Sequence, residues 1–125
     1  MAHRIATLGD ITPDFDVILS DVWGVLHNGV TVFADAAIAL EAARKAGKTV
    51  VLITNSPRPG PGVIAQLRAF GISDSVYDRI VTSGDVTRKL IAEGPNKVFL
   101  LGPERDMPLM DGLDVEVVPE AEATA

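Results

Sequence analysis

The chain alternates short apolar runs with longer amphipathic segments. Four runs rich in β-branched residues predict buried strands at 16–20, 48–53, 79–82 and 97–101. Between them, helical spacing covers 33–46, 61–70 and 85–93, and a glycine follows each segment. Strands and helices that alternate with crossovers of this length favour a parallel sheet covered by helices. The pattern therefore predicts an α/β fold with a Rossmann-like, doubly wound parallel sheet.

The pattern is weaker in the last part of the chain. Residues 107–112 are compatible with a short helix and residues 115–118 with a strand. This region extends the α/β alternation without adding a clear motif.

Composition narrows the classes of function. The net charge of −6 and the lack of a Lys/Arg cluster argue against nucleic-acid binding, which depends on cations that neutralise phosphates. The chain has no cysteine, which fits a reducing compartment, so we expect a cytoplasmic protein. No apolar run approaches the roughly 18 residues that a membrane helix needs, so no membrane partner is expected.

Polar residues follow each of the first three predicted strands. They are Asp21, then the run 54–56 (Thr-Asn-Ser), then the run 83–85 (Ser-Gly-Asp). In open parallel α/β sheets, ligands bind beyond the carboxyl ends of the strands. Helix N-termini at these positions also attract anions. The sequence thus predicts a site for a small anion such as phosphate at this end of the sheet.

The segment after the first strand carries the sharpest local signal. Gly24 permits a tight turn directly after Asp21. Asn28-Gly29, between 25–27 and 30–32, is a strong signal for a two-residue hairpin turn. We expect a carboxylate beneath a small β-flap.

These segments resemble motifs of the haloacid dehalogenase (HAD) superfamily. The sequence from Asp21 to Gly29 is similar to motif I with its flap, and the run 52–56 (Leu-Ile-Thr-Asn-Ser) is similar to motif II. The details, with Thr-Asn-Ser-Pro-Arg at 54–58 and Val-Thr-Ser-Gly at 81–84, look like subclass IIA, the NagD-like phosphatases. The resemblance spans about 16–102 and implies a Mg²⁺-dependent phosphatase.

The resemblance also implies roles for individual residues. Asp21 matches the nucleophile that forms an aspartyl-phosphate and also ligates Mg²⁺. The backbone carbonyl of Trp23 matches the second metal ligand of motif I. The resemblance assigns substrate binding to residues at and after the end of the second strand. Thr54 would hold the phosphoryl group, and Asn55 would add a backbone N–H. Ser56 and Arg58 are the further substrate-binding residues.

Two departures from the family pattern bear on activity. Trp23 stands where the family has a second aspartate, and an indole cannot perform acid–base chemistry near neutral pH. The family also has a cap domain after the third strand, with the motif III lysine and motif IV acidic residues beyond it, and this chain ends before them. We therefore expect an incomplete HAD core at 1–94 and the beginning of a C2-type cap at 95–125.

Several residues allow a structural explanation beside a functional one. Trp23 could stack on a substrate ring, but packing is commoner for an aromatic in an apolar segment. His27, on the predicted flap, could contact substrate or act as a substitute acid, but a lone histidine beside a turn is expected to face solvent. The run 83–85 is expected to cap a helix rather than bind a ligand. Arg58 is either an anion contact or a solvated loop charge.

Three hypotheses follow. The first is a phosphatase that cleaves a small phosphomonoester, such as a sugar phosphate, through Asp21. The second is a catalytically impaired HAD module that binds metal, phosphate or a partner protein. The third is a phosphorelay receiver domain, which needs a second acid after the first strand that the pair Ser20-Asp21 does not supply. In each case, an exposed apolar strand edge would favour a homo-oligomer.

Overall fold

A computed structural model of the chain describes residues 4–124. Strands and helices alternate from the first strand to the third helix, as the hydrophobic pattern predicts, and shorter elements follow. The elements are β1 (Val17–Ser20), α1 (Ala34–Lys45), β2 (Thr49–Thr54), α2 (Gly60–Ala69), β3 (Arg79–Thr82), α3 (Ser83–Glu93), β4 (Lys97–Val98) and β5 (Glu116–Val117). Short 3-10 turns lie at Leu8–Asp10, Thr12–Asp14, Asp74–Val76, Glu104–Met110 and Glu120–Glu122.

The chain forms two compact units. The first consists of Met1–Thr54 and Ile64–Val81, and the second of Asn55–Val63 and Thr82–Ala125. A three-stranded sheet has the order β1-β2-β3, with β1 parallel to β2 and Val17 paired with Thr49. A second sheet pairs β4 with β5, also in parallel.

The crossover helix α1 follows from its composition. Its alanine-rich sequence has high helix propensity, with Asp35 in the first turn and basic residues in the last, as the helix dipole favours. Gly47 ends the segment at a φ of 84°, a conformation that costs glycine little. Leu40 and Ala43 are buried, and α1 contacts β2. The helix therefore covers one face of the sheet.

The amino end of β2 is held by a polar network. The Asp78 carboxylate accepts hydrogen bonds from an Arg44 N–H at 2.6 Å and from the Val50 backbone N–H at 2.8 Å. Arg44 also donates to the Ser75 carbonyl oxygen at 2.6 Å. The Arg44 guanidinium, followed by the Val50 N–H, holds the pKa of Asp78 below its usual value. This network ties α1, the turn Asp74–Val76 and β2 together.

The second unit has a small core of its own. Val98, Leu109 and Met110 are buried, and Ile91 of α3 packs against them. Arg88 of α3 donates hydrogen bonds to the backbone carbonyl oxygens of Leu109 and Asp111, each at 2.7 Å. These bonds satisfy carbonyl groups where the 3-10 turn Glu104–Met110 ends.

The predicted α/β fold with a parallel sheet is confirmed, and the first three strands and three helices lie where the sequence placed them. The later predictions were less accurate. The strand predicted at 97–101 is limited to β4, because its partner β5 is equally short. The helix predicted at 107–112 is a 3-10 turn over Glu104–Met110, with Pro108 inside it, since proline cannot donate a helical hydrogen bond.

The predicted division between a core domain and a cap domain at residue 94 stays a prediction.

No helix among residues 4–124 is both long and apolar enough to cross a membrane.

Candidate active site

The first unit brings Asp21 and Thr54 to the same end of the sheet. Ser20, the last residue of β1, pairs with Leu52 in parallel register. Asp21 comes directly after β1, and Thr54 is the last residue of the neighbouring strand. Because the strands run in the same direction, both side chains belong to the carboxyl end of the sheet, where parallel α/β proteins bind ligands.

The two side chains differ in exposure. Asp21 is exposed, and one of its oxygens accepts a hydrogen bond from the Val22 backbone N–H at 2.7 Å. Thr54 is buried and belongs to the alternating inward positions of β2, with Val50 and Leu52. The carboxylate is thus accessible to a ligand, while the threonine is positioned by the core.

The segment 21–32, called here the first loop, folds through local hydrogen bonds. The Gly24 N–H donates to the His27 carbonyl oxygen at 2.7 Å, and the Leu26 N–H donates to the Val22 carbonyl oxygen at 2.9 Å. Gly24 has a φ of 80° and Gly29 a φ of 89°, so both adopt the left-handed conformation that favours glycine. The tight turn predicted at Gly24 is therefore present.

The predicted two-residue hairpin was wrong in detail. An isolated antiparallel bridge joins His27 to Val32, and it encloses the four residues 28–31. The Asn28 side-chain oxygen accepts the N–H groups of Val30, at 3.0 Å, and Thr31, at 2.7 Å. These bonds form an Asx-type turn, and the Asn28 N–H donates to the Thr31 carbonyl oxygen at 3.1 Å, so the turn lies one residue further along the chain than expected.

Three rings, those of Trp23, His27 and Phe70, pack together at the first loop. The rings of Trp23 and His27 meet edge to face at a centroid distance of 5.5 Å, and His27 stacks on Phe70 at 4.6 Å. Trp23 thus packs on His27, as expected for an aromatic residue in an apolar segment, although 58% of its surface remains exposed. Its ring also lies against Gly29, where a Cβ atom would come within 2.5 Å of the indole. Glycine at position 29 thus provides both the backbone conformation and the space for the indole.

His27 is buried, contrary to the expectation that it faces solvent. Only 1% of its surface is exposed, because the ring lies between Trp23 and Phe70. Its Nδ1 accepts a hydrogen bond from the Gly29 N–H at 3.0 Å, so the proton of the neutral ring is on Nε2. Burial lowers the pKa of His27. Among residues 4–124, Nε2 has no hydrogen-bond partner.

The segment 55–59, called here the second loop, belongs to the second unit. Asn55 and Arg58 are exposed, and Ser56 is half-buried. The Ser56 carbonyl oxygen accepts a hydrogen bond from the Gly84 N–H at 3.1 Å, and its hydroxyl accepts one from the Arg58 N–H at 3.2 Å. The predicted substrate-binding residues of this loop are therefore held against the start of α3.

The polar run 83–85 forms the first turn of α3. The N-cap is Thr82, whose hydroxyl accepts a hydrogen bond from the Asp85 N–H at 2.9 Å, so capping precedes the predicted run by one residue. Both Asp85 oxygens accept the Gly60 N–H at 3.0 Å. A Cβ on Gly84 would lie 2.7 Å from the Arg58 carbonyl group, so only glycine permits this close approach.

The donor atoms of the first loop suit a hard cation. Asp21 offers a carboxylate and Trp23 a backbone carbonyl, and Mg²⁺ binds such oxygens while keeping several water ligands. Residues 4–124 contain no group of three or more His, Cys, Asp or Glu side chains that could hold a metal alone. This donor set fits Mg²⁺ and does not fit a zinc site, which needs three or four protein ligands.

Together, the parallel sheet and the exposed carboxylate at its carboxyl end define an α/β protein with a candidate ligand site at the strand ends. Residues 18–116 match the family described as haloacid dehalogenase-like hydrolase. The chain belongs to this family.

A solved structure extends the comparison. The crystal structure of a hydrolase of the haloacid dehalogenase-like family from Brucella suis 1330 has 56% sequence identity with the chain and a TM-score of 0.89. The match covers 96% of this chain and 44% of that one, so the chain spans less than half the length of its relative. The chain matches none of the curated proteins with which it was compared.

The sequence analysis did not name Phe70, and it did not predict the contacts that Gly84 and Asp85 make with residues 56–60. Phe70 stacks on His27, Gly84 leaves space for the backbone of the second loop, and the Asp85 carboxylate accepts the Gly60 N–H. Gly84 is the second residue of a helix, a position where glycine has low propensity, and this was the available signal for a close backbone approach. The stacking of Phe70 on His27 and the bond of Asp85 to the Gly60 N–H carried no local signal, because the partners lie far away along the sequence.

Proposed function

We propose that the chain is part of a Mg²⁺-dependent phosphatase that cleaves a small phosphomonoester through Asp21. The observation that carries the proposal is the position of Asp21, exposed and directly after β1, at the same end of the sheet as Thr54. Membership in a hydrolase family supports the reaction class. The likeness to subclass IIA supports a sugar phosphate or a similar metabolite as the substrate.

The chemistry assigned to Asp21 is nucleophilic. A carboxylate oxygen attacks phosphorus, the bond from phosphorus to the ester oxygen breaks, and the ester oxygen leaves with the electron pair as an alkoxide or aryloxide, which takes a proton from water. Water then hydrolyses the aspartyl-phosphate and releases inorganic phosphate. The Thr54 hydroxyl and the Asn55 backbone N–H would hold the phosphoryl oxygens. Arg58 would attract an anionic group of the substrate.

Mg²⁺ would be held by the Asp21 carboxylate and the Trp23 carbonyl, and when bound it neutralises negative charge on the phosphoryl group. The exposed position of Asp21 leaves room for the water ligands that Mg²⁺ retains.

Trp23 limits the range of esters that the site can cleave. An indole cannot protonate a leaving alkoxide, because its N–H is a donor that does not ionise near neutral pH. Aryl phosphates, whose leaving groups are stable as anions, should therefore react faster than alkyl phosphates.

Phosphate release from aryl and alkyl phosphomonoesters in the presence of Mg²⁺ tests the proposal. Asp21→Asn keeps the shape of the side chain and removes its nucleophilic charge, so we expect release to fall about 10⁴-fold or more. Asp14→Asn is the control, since Asp14 is an exposed carboxylate before the opposite end of β1. Equal rates for the wild type and Asp21→Asn would refute the role of Asp21.

The second candidate is a HAD module that binds without turnover, and the tryptophan at position 23 favours it. Titration calorimetry with Mg²⁺ and inorganic phosphate distinguishes the two. Binding that is lost in Asp21→Asn, without hydrolysis of any ester, would select the binding module. Release of phosphate that depends on Asp21 would select the enzyme.

The proposed cellular location rests on composition, and the proposed oligomeric state rests on side-chain exposure. The absence of cysteine supports the cytoplasm. Self-association of the chain is supported by the exposed apolar residues on its strands.

A further inference from the structure

The indole of Trp23 presents apolar surface close to the proposed nucleophile. Trp23 is 58% exposed, and two valines of the same loop, Val25 and Val30, are 39% and 86% exposed. Trp23 follows Asp21 by two residues, so their Cα atoms lie within about 7 Å of each other. An exposed aromatic ring gains free energy when a second apolar group covers it. The first loop therefore offers a contact surface for an apolar group bound beside Asp21.

The indole is held in place although it is exposed. It meets the His27 ring edge to face at a centroid distance of 5.5 Å. His27 is itself fixed, because it is 1% exposed and stacks on Phe70 at 4.6 Å. Gly29 also lies so close that a Cβ there would come within 2.5 Å of the indole. A ring that its neighbours already hold loses little conformational entropy when a ligand stacks on it.

The geometry of phosphoryl transfer determines where the leaving group lies. Under the proposed function, the ester oxygen stands opposite the attacking Asp21 oxygen, because the attacking and leaving oxygens are roughly in line. Asp21 comes directly after β1, at the carboxyl end of the sheet. The leaving group thus extends outward from the strand ends, into the space that the loops border. Trp23, on one of these loops, is within reach of it.

We propose that Trp23 determines specificity by stacking on an aromatic ring of the leaving group, so that the substrates are aryl or heteroaryl phosphomonoesters. This inference rests on the proposed function and narrows its substrate class. Two separate features of position 23 support it. The exposed, fixed indole suits a flat ring, and the lack of an acid there favours leaving groups that are stable as anions, as aryloxides are.

A sugar phosphate fits this surface less well. Sugar hydroxyls need hydrogen-bond partners where water is displaced, and the side chains of Val25 and Val30 supply none. The Asn28 side-chain oxygen already accepts the N–H groups of Val30 and Thr31. A sugar alkoxide is also a poor leaving group when no acid protonates it.

The test compares the binding of two phosphonates to the full chain in the presence of Mg²⁺. Benzylphosphonate is the methylene analogue of phenyl phosphate, and cyclohexylmethylphosphonate has nearly the same size without the aromatic ring. Neither contains a phosphate ester bond, so binding is measured without turnover. By titration calorimetry, we expect the wild type to prefer benzylphosphonate about three- to tenfold, as is typical of one aromatic pair.

Three variants locate the ring contact. Trp23→Leu should remove the preference for benzylphosphonate, and Trp23→Phe should keep part of it. Phe15→Leu is the matched control, since Phe15 is 56% exposed and precedes β1 at the opposite end of the sheet. It should keep the full preference. Circular dichroism checks that the variants are folded.

Tryptophan emission supplies a measurement that needs no mutation. Trp23 is the only tryptophan in the chain, so the spectrum reports on this ring alone. A ligand ring that stacks on the indole displaces water from it. We therefore expect emission at shorter wavelength with benzylphosphonate, and constant emission with inorganic phosphate, the control ligand without a ring.

The possible failures separate the inference from the proposed function. Equal affinity of the wild type for the two phosphonates, or binding of inorganic phosphate alone, would overturn the inference and leave the phosphoryl site intact. A preference that Trp23→Leu keeps or that Phe15→Leu removes would contradict the role of Trp23, as would constant emission with bound benzylphosphonate. If neither the phosphonates nor inorganic phosphate bound, the proposed function would fail together with the inference.

Discussion

The two loops that follow β1 and β2 are held in different ways. The backbone of the first loop is closed by hydrogen bonds between residues close in sequence, such as those of Asn28 to Val30 and Thr31, and Phe70 adds one distant ring contact, on His27. The second loop depends on α3, whose Gly84 N–H binds the Ser56 carbonyl oxygen. A loop closed by its own residues can change an exposed side chain without losing its shape. A loop closed by a distant helix is sensitive to that helix.

The largest expected effect is on the chemistry of the first loop. Trp23→Asp places a carboxylic acid where the indole stands, and a general acid is worth about 10²–10⁴-fold. Under the proposed function, we expect a gain of this size in phosphate release from alkyl esters and a smaller gain with aryl esters. Because Trp23 is 58% exposed, the loop should keep its fold.

Trp23→Asn is the matched control for this gain. It has nearly the same size as aspartate and cannot donate a proton as an acid. Equal rates for the two variants would show that the indole blocks the site by its bulk. A loss of folding in both would contradict the local closure of the loop.

The next effect concerns the second loop. Gly84→Ala would bring a Cβ within 2.7 Å of the Arg58 carbonyl group, so the loop or α3 must move. We expect a loss of about 3 kcal/mol in the free energy of unfolding, in the range of severe overpacking. Denaturant unfolding followed by circular dichroism measures it.

Gly62→Ala provides the comparison for Gly84→Ala. Gly62 lies in α2, and a Cβ there would meet only the Arg58 Cβ at 3.8 Å, an ordinary contact. Alanine also has the higher helix propensity, so this variant should be neutral or slightly stabilising. If both variants behaved alike, the close approach at Gly84 would not constrain the second loop.

The difference between the loops also explains what the sequence could predict. Asp21 and Thr54 were placed correctly at the carboxyl end of the sheet, because the apolar runs before them mark the ends of two parallel strands. The turn at Gly24 could be predicted in the same way. The flap was misjudged because the Asn28 side chain competes with backbone pairing, and both turns have the same sequence signal.

The remaining errors arose from contacts between distant residues. His27 was expected in solvent, but Phe70, which follows α2, covers it. The contacts of Gly84 and Asp85 with residues 56–60 have the same character. Local periodicity contains no information on such pairs, so the strands and helices were predictable and their packing at the site was not.

A smaller effect is expected within the first loop from Gly29→Ala. A φ of 89° costs alanine about 1–2 kcal/mol, and the new Cβ would also displace the Trp23 ring. Gly24→Ala has the same backbone cost, with a φ of 80° and open space around its Cβ. Since Trp23 is the only tryptophan in the chain, its emission spectrum should change in Gly29→Ala and stay constant in Gly24→Ala.

The smallest effect is expected from His27→Phe. Phenylalanine retains the ring between Trp23 and Phe70, removes the acceptor of the Gly29 N–H, and removes the buried Nε2, which has no partner within residues 4–124. The two polar changes oppose each other, so the free energy of unfolding should change by less than about 1 kcal/mol. His27→Ala, which also removes the ring, should cost about 2–4 kcal/mol through the cavity it leaves. If phenylalanine were as damaging as alanine, the imidazole nitrogens rather than ring packing would hold the first loop, and its closure would depend on a polar contact of His27.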